Sequence, residues 1–159
     1  MKELVGIAEQ VAAKLIARKE TIAVAESSAG GLLAASLLAV PGASAYFLGG
    51  AVLYTRDARR ALMDISDDGM KGFRSSSEPY AKLLAERIRT RFGCDWGLSE
   101  TGAAGPTGNR YGDAAGHSCM AVAGPAAEVM TLETASQDRF ANMQTFAATA
   151  LRLLLRNLE

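Results

Sequence analysis

The chain is poor in the groups on which metal and thiol chemistry rely, with two cysteines and one histidine in 159 residues. Cys94 and Cys119 lie far apart without any CxxC spacing, which argues against a disulfide framework or a zinc site and leaves both as buried small hydrophobes. His117 alone supports neither a histidine-based triad nor a multi-histidine metal centre. It opens an apolar run and is expected at a strand end. No metal and no cofactor is expected. Excess charge of either sign is also missing: 17 Lys and Arg stand against 17 Asp and Glu, so no general electrostatic pull toward nucleic acid is expected. No apolar run reaches the ~18 residues that suggest a membrane span. The first residues, with Glu3 and Glu9, are amphipathic and unlike a signal sequence, so the expectation is a cytoplasmic protein that binds no membrane.

What is present is apolar residue at 49% of the chain, rich in alanine and leucine but with few aromatics. That composition suits helices packed closely on a sheet, and the length suits one domain over residues 1–159. Leu4, Val5, Ile7, Ala8, Val11, Ala12, Leu15 and Ile16 fall on one stripe of a first helix. Ile22 to Ala25 read as a short strand buried on both faces, and 32–38 as a helix stopped by Pro41 and Gly42. A second strand is predicted over 46–54, with Gly49 and Gly50 marking a bulge or a close backbone approach. A short helix follows at 57–63, then a polar loop at 66–76 and a helix from Ser77 to Phe92. Trp96 to Glu100 reads as a third strand leading into a glycine-rich segment, 102–116, too long for a plain connector. Two further strands, 118–122 and 128–134, form an antiparallel hairpin, and a last helix runs from Asp138 to Leu158. The pattern predicts a three-layer α/β/α sandwich with a mostly parallel sheet and an antiparallel pair near its C-terminal end. Leu151, Leu154, Leu155 and Leu158 extend the apolar face of the last helix, which suggests a homo-oligomer.

The stretch Thr21–Gly31, TIAVAESSAGG, is the one around which the rest is arranged. A buried strand ends in hydroxyls, and Gly30 and Gly31 permit a tight turn into a helix. Amides at such a helix start suit a phosphate or a developing oxyanion, while the plainer reading is that Ser27 or Ser28 caps the helix. Ligands of open α/β sheets sit beyond the carboxyl ends of the strands. Ser27, Tyr54 and Thr101 all fall there, so one cleft is expected to collect them.

Three ordered stretches, AESSAGG, GGAVLYTRDAR and TGAAGPTGNRYGDAAG, resemble the CinA C-terminal domain family, whose characterised members include nicotinamide-nucleotide amidases. The likeness covers nearly the whole chain. It implies hydrolysis of nicotinamide mononucleotide to nicotinic acid mononucleotide and ammonia by a Ser-Lys pair. Ser27 matches the nucleophile, and backbone amides around Ser28 to Gly31 would hold the oxyanion. Tyr54, Thr101 and Gly105 would position the nucleotide, and the matching motifs extend the set of candidate ligand contacts to Glu26, Ser28, Gly30, Gly31, Gly102, Arg110 and Arg139. Arg59 stands at the family's lysine position. A guanidinium keeps its charge and offers no lone pair, so Arg59 cannot serve as that base. Met143 stands where the family commonly has a second arginine, and Ser28 and Ala29 replace a cysteine and a threonine. Three readings stay open: a Ser27 amidase with Arg59 as an anion clamp and Tyr54 or a water taking the proton, a non-catalytic protein binding a phosphorylated ligand through Arg59, Arg110 and the glycine turns, and a hydrolase of another substrate. The plain alternative for Arg59 is a solvated or salt-bridged side chain, and for Tyr54 an aromatic packed under the next helix.

Overall fold

The computed structural model describes all of residues 1–159. Five α-helices and five strands follow one another, alternating as far as α3: α1 (Lys2–Arg18), β1 (Ile22–Glu26), α2 (Leu32–Leu38), β2 (Phe47–Val52), α3 (Arg56–Met63), α4 (Glu78–Phe92), β3 (Trp96–Ala103), β4 (His117–Ala123), β5 (Glu128–Glu133) and α5 (Arg139–Asn157). The sheet order is β2-β1-β3-β4-β5. β1 runs parallel to both β2 and β3, whereas β3, β4 and β5 pair antiparallel in sequence order. The three-layer sandwich expected from the alternation is therefore the fold, with its antiparallel part at the C-terminal edge.

Period-two alternation assigns the two faces of β1. Ile22 and Val24 join α1, α2 and α5 in the larger core, while Ala23 and Ala25 face α3 and α4 in the smaller one. The smaller side chains let α4 approach the sheet closely. At Gly97 a Cβ would fall 2.0 Å from the Ala85 carbonyl oxygen, so only glycine allows helix backbone and strand backbone to meet there. Between β1 and β2 the register shifts beside Gly49, the bulge expected from the paired glycines. The helix starts are chemically marked. Thr55, Ser77 and Asp138 cap α3, α4 and α5, each accepting from an amide of the first turn.

Two expectations need correction. β3 does not end at Glu100 but continues through Ala103, because Thr101, Gly102 and Ala103 pair with Cys119, Ser118 and His117. The leucine face assigned to a second copy is used within the chain: Leu151, Leu154 and Leu158 are buried in the core with α1, and Leu155 packs against it. Each such leucine contributes about 2 kcal/mol by burial, and none of these three is left for a partner. No helix is long and apolar enough to cross a membrane. Cys94 and Cys119 are both free and buried.

Candidate functional site

The first connection, through α2, covers one face of the sheet, and the second, through α3 and α4, covers the other. The carboxyl ends of β1, β2 and β3 thus open onto a crevice, as the geometry of open α/β sheets requires. A cleft of about 740 Å³ lies there, and Ser27, Tyr54 and Thr101 all line it. Arg59, Gly102 and Arg110 line it as well.

The Ser27 corner is held from beneath by two buried carboxylates. Glu100 Oε2 accepts from the amides of Ser27 at 3.1 Å and Ala29 at 2.8 Å. Its Oε1 accepts from the hydroxyls of Ser28 and Ser118. On the other side, Glu26 caps α2 by accepting from the amides of Gly31 at 2.8 Å, Ala34 at 2.9 Å and Leu33 at 3.1 Å. Burial pushes both carboxyls above the usual range, and these hydrogen bonds oppose it. The corner is therefore a rigid mount whose polar groups are almost all spoken for.

That accounting changes the expected oxyanion cradle. The amides of Ala29 and Gly31 serve Glu100 and Glu26, and the Gly30 amide bonds to the Ser27 carbonyl at 3.0 Å. Ser28 N–H is the amide of this turn that no protein group accepts. Glu26, Ser28, Gly30 and Gly31 lie behind the cleft and build its wall instead of lining it. Gly30 holds φ at 66°, in the left-handed region that favours glycine, and a Cβ there would also push the flexible end of Met143 aside, 2.7 Å from its Cε. The Ser27 hydroxyl makes no hydrogen bond within the protein and lines the cleft.

Arg59 is no solvated surface residue. It is 8% exposed, and its Nη2 donates to Asp67 at 3.3 Å. Its Nε is buried without any acceptor, and the guanidinium, with five N–H donors, keeps a cation with unused donors in the cleft wall. Tyr54 is 60% exposed, so the aromatic does not pack under the next helix. Its hydroxyl accepts from Arg139 Nη2 at 3.1 Å, and Arg139 Nη1 reaches the Gly105 carbonyl. Arg139 and Gly105 thus brace Tyr54 without lining the cleft themselves.

The long segment after β3 is tied down, which explains how so many glycines stay ordered. Asn109 Oδ1 accepts from the amides of Tyr111 and Asp113, and Asp113 receives both Arg74 nitrogens, at 2.6 and 3.1 Å. Burial tends to raise the Asp113 carboxyl, but Arg74, Asn109 and His117 outweigh it and hold it below the usual value. Asn142 fastens the other end, donating to Ala104 and Ser136 carbonyls at 2.8 Å each. This places Arg110 on the cleft, with its guanidinium 5.6 Å from the Tyr111 ring centroid.

Sequence reading missed one wall of the cleft altogether. Phe73, Arg74, Ser75 and Ser76, together with Arg56 and Asp67, line it. The 66–76 stretch has no periodicity to signal a role, and Ser75, Ser76 and Ser77 read only as a helix cap, which Ser77 is, while Ser75 and Ser76 line the cleft.

Comparison with known proteins identifies the family. The sequence profile of the CinA C-terminal domain family matches residues 5–158. A CinA-like protein of Chlorobium limicola is 37% identical over 150 residues, covering 91% of this chain and 35% of its own. One from a Synechococcus strain is 43% identical over 105 residues, 66% of this chain and 25% of its own. The chain thus spans about a quarter to a third of the curated relatives it matches. Among solved structures, a competence-damaged protein (CinA) superfamily member from Klebsiella pneumoniae superposes with a TM-score of 0.90 at 27% identity, covering 98% of this chain and 97% of its own. Sequence and fold agree along the whole length, and the chain belongs to the CinA C-terminal domain family.

Proposed function

We propose that the cleft binds a small phosphorylated amide, a pyridine nucleotide of the nicotinamide mononucleotide kind, and that Ser27 Oγ meets its carboxamide carbon. The observation that carries this reading is the pairing of an unengaged serine hydroxyl with a buried, half-satisfied arginine in one cleft. Four arginines line that cleft against one aspartate, which suits a phosphate group. Tyr54, Tyr80 and Tyr111 offer faces or edges for a planar ring.

The reaction this arrangement supports is amide hydrolysis. Ser27 Oγ attacks the carboxamide carbon, the Arg59 guanidinium that lines the cleft stabilises the oxyanion, the serine proton is relayed to the leaving nitrogen as the C–N bond breaks and ammonia departs, and water then hydrolyses the acyl-serine to the acid. Arg59 holds the place of the family's base but cannot accept the serine proton, so a water in the cleft takes it and turnover is slow. Ammonia release from nicotinamide mononucleotide, followed at high protein concentration, tests this. Wild type exceeds the protein-free rate, and Ser27→Ala falls tenfold or more, to that background. Equal rates in the two proteins contradict the hydrolytic reading. Nucleotide binding without product instead favours a non-catalytic binding protein of the same fold, a reading supported by the permanent charge of Arg59.

A further inference from the structure

The sole histidine lies outside the chemistry just described, yet it touches the cleft wall that sequence reading missed. His117 opens β4 and is 6% exposed. Its Nε2 lies 2.7 Å from the Ser76 carbonyl oxygen, and its Nδ1 is hydrogen-bonded to the Glu133 carboxylate of β5. Neither oxygen has a hydrogen to give, so both ring nitrogens must donate, which only the imidazolium can do. Asp113 lies 3.6 Å away from the long loop, and Cys119 Sγ of β4 is 3.8 Å from Nε2. Arg74 faces the same group through its ion pair with Asp113. Glu78 of α4 faces it through Thr131, which bonds both Glu78 and Cys119. Three carboxylates and one arginine therefore surround the ring and its neighbour.

Ser76 is held in a conformation it would not choose. Its φ is 58°, in the left-handed region that side chains other than glycine, asparagine and aspartate rarely adopt. Its amide donates to Thr101 Oγ1 at 3.1 Å, and its carbonyl accepts its shortest hydrogen bond from His117 Nε2 at 2.7 Å, with longer ones from Arg74 Nη1 at 3.5 Å and Cys119 Sγ at 3.6 Å. Ser76 and Thr101 both line the cleft beside Ser27.

We propose that His117 is a positioning residue of the cleft: charged, it clamps the Ser76 carbonyl and fixes the 74–77 wall, and on losing its proton it lets that wall go. A neutral ring has one N–H for two acceptors, and the carboxylate is the stronger one. The proton stays on Nδ1, which donates to Glu133, and the Ser76 carbonyl then faces the lone pair of Nε2. Burial alone pushes the imidazole down, but Glu133, the Ser76 carbonyl and Asp113 outweigh it and raise it above its ordinary 6.5. A histidine raised in the folded state adds stability that is full below its unfolded value and is lost as pH rises through the folded one. The inference rests on the cleft being a ligand site only for its consequence in binding.

Because the chain has one histidine, its ring signals in a nuclear magnetic resonance titration are unambiguous. Both ring nitrogens carry protons at pH 6, the midpoint lies above 6.5, the reference value for histidine, and the Ser76 amide signal moves with the same midpoint. Glu133→Gln, a change at an exposed side chain, lowers both midpoints together. The affinity for nicotinamide mononucleotide falls severalfold as pH rises through the midpoint, and in Glu133→Gln the fall shifts to lower pH. A midpoint at or below 6.5, or a Ser76 amide that ignores the ring, overturns the inference. Binding that is tight but indifferent to the ring's titration overturns it too. Coupled titration of His117 and Ser76 without any nucleotide affinity supports the clamp and counts against the nucleotide reading instead.

Discussion

Replacing Arg59 by lysine raises ammonia release from nicotinamide mononucleotide by about 100-fold, the low end of the range that a positioned general base supplies. The reasoning starts from protonation. Guanidinium holds its proton at every accessible pH, so the buried position that lines the cleft with Ser27 carries a charge but no acceptor. Lysine at the same place faces the same desolvation, which disfavours its ammonium form and leaves a neutral amine able to take the serine proton. The rate of Arg59→Lys should climb with pH through the titration of that amine, whereas wild type shows no such limb. Arg59→Gln, which removes charge and adds no base, is expected to lose affinity without gaining rate. A lysine variant no faster than wild type at any pH rules out the missing base as the reason for slow turnover.

The second large effect concerns stability. Glu100→Ala is expected to cost about 3 kcal/mol, since two buried backbone N–H groups lose their acceptor at about 1–3 kcal/mol each and removal of a buried charge offsets part of that. For a chain of this size that lowers Tm by roughly 6–12 °C. Glu100→Gln behaves differently. Its amide oxygen can keep the bonds from Ser27 and Ala29, while its NH₂ donates to the hydroxyls of Ser28 and Ser118, so it stays within about 1 kcal/mol of wild type. Urea denaturation of the three proteins at pH 7 checks both values. Equal losses for alanine and glutamine would mean that the carboxylate acts through its charge and not through the corner it holds.

Glu100 also shows where the sequence stopped being legible. The strand and glycine corner at 22–31 could be read locally, because a buried apolar run followed by serines and glycines has few other meanings. The partner that fixes the corner lies 73 residues away from Ser27, and nothing near Glu100 in the chain signals it. Thr101 to Ala103 read as loop because of their glycine-rich neighbourhood, yet cross-strand pairing with β4 makes them strand. Tertiary pairing there overrides local propensity. The apolar face of α5 misled for the converse reason: periodicity reports that a face is covered, not by what, and α1 was available within the chain to cover it.

His117 illustrates a third kind of limit. Its place at a strand end was readable, but its charge state depends on Ser76 and Glu133 arriving from two other elements. The same holds for Arg59, whose burial and unused Nε follow from how α3 sits over the cleft. Residue type and motif order were enough for the family. Which groups line the cleft was settled only by packing.

The most direct measurement is the distance from Ser27 Oγ to the carboxamide carbon in crystals soaked with nicotinamide mononucleotide. A value of about 3–3.5 Å, the separation of a near-attack arrangement, with the phosphate among the arginines, is the result expected here. A nucleotide seated elsewhere, or held in the cleft with its carboxamide pointing away from Ser27, would contradict it.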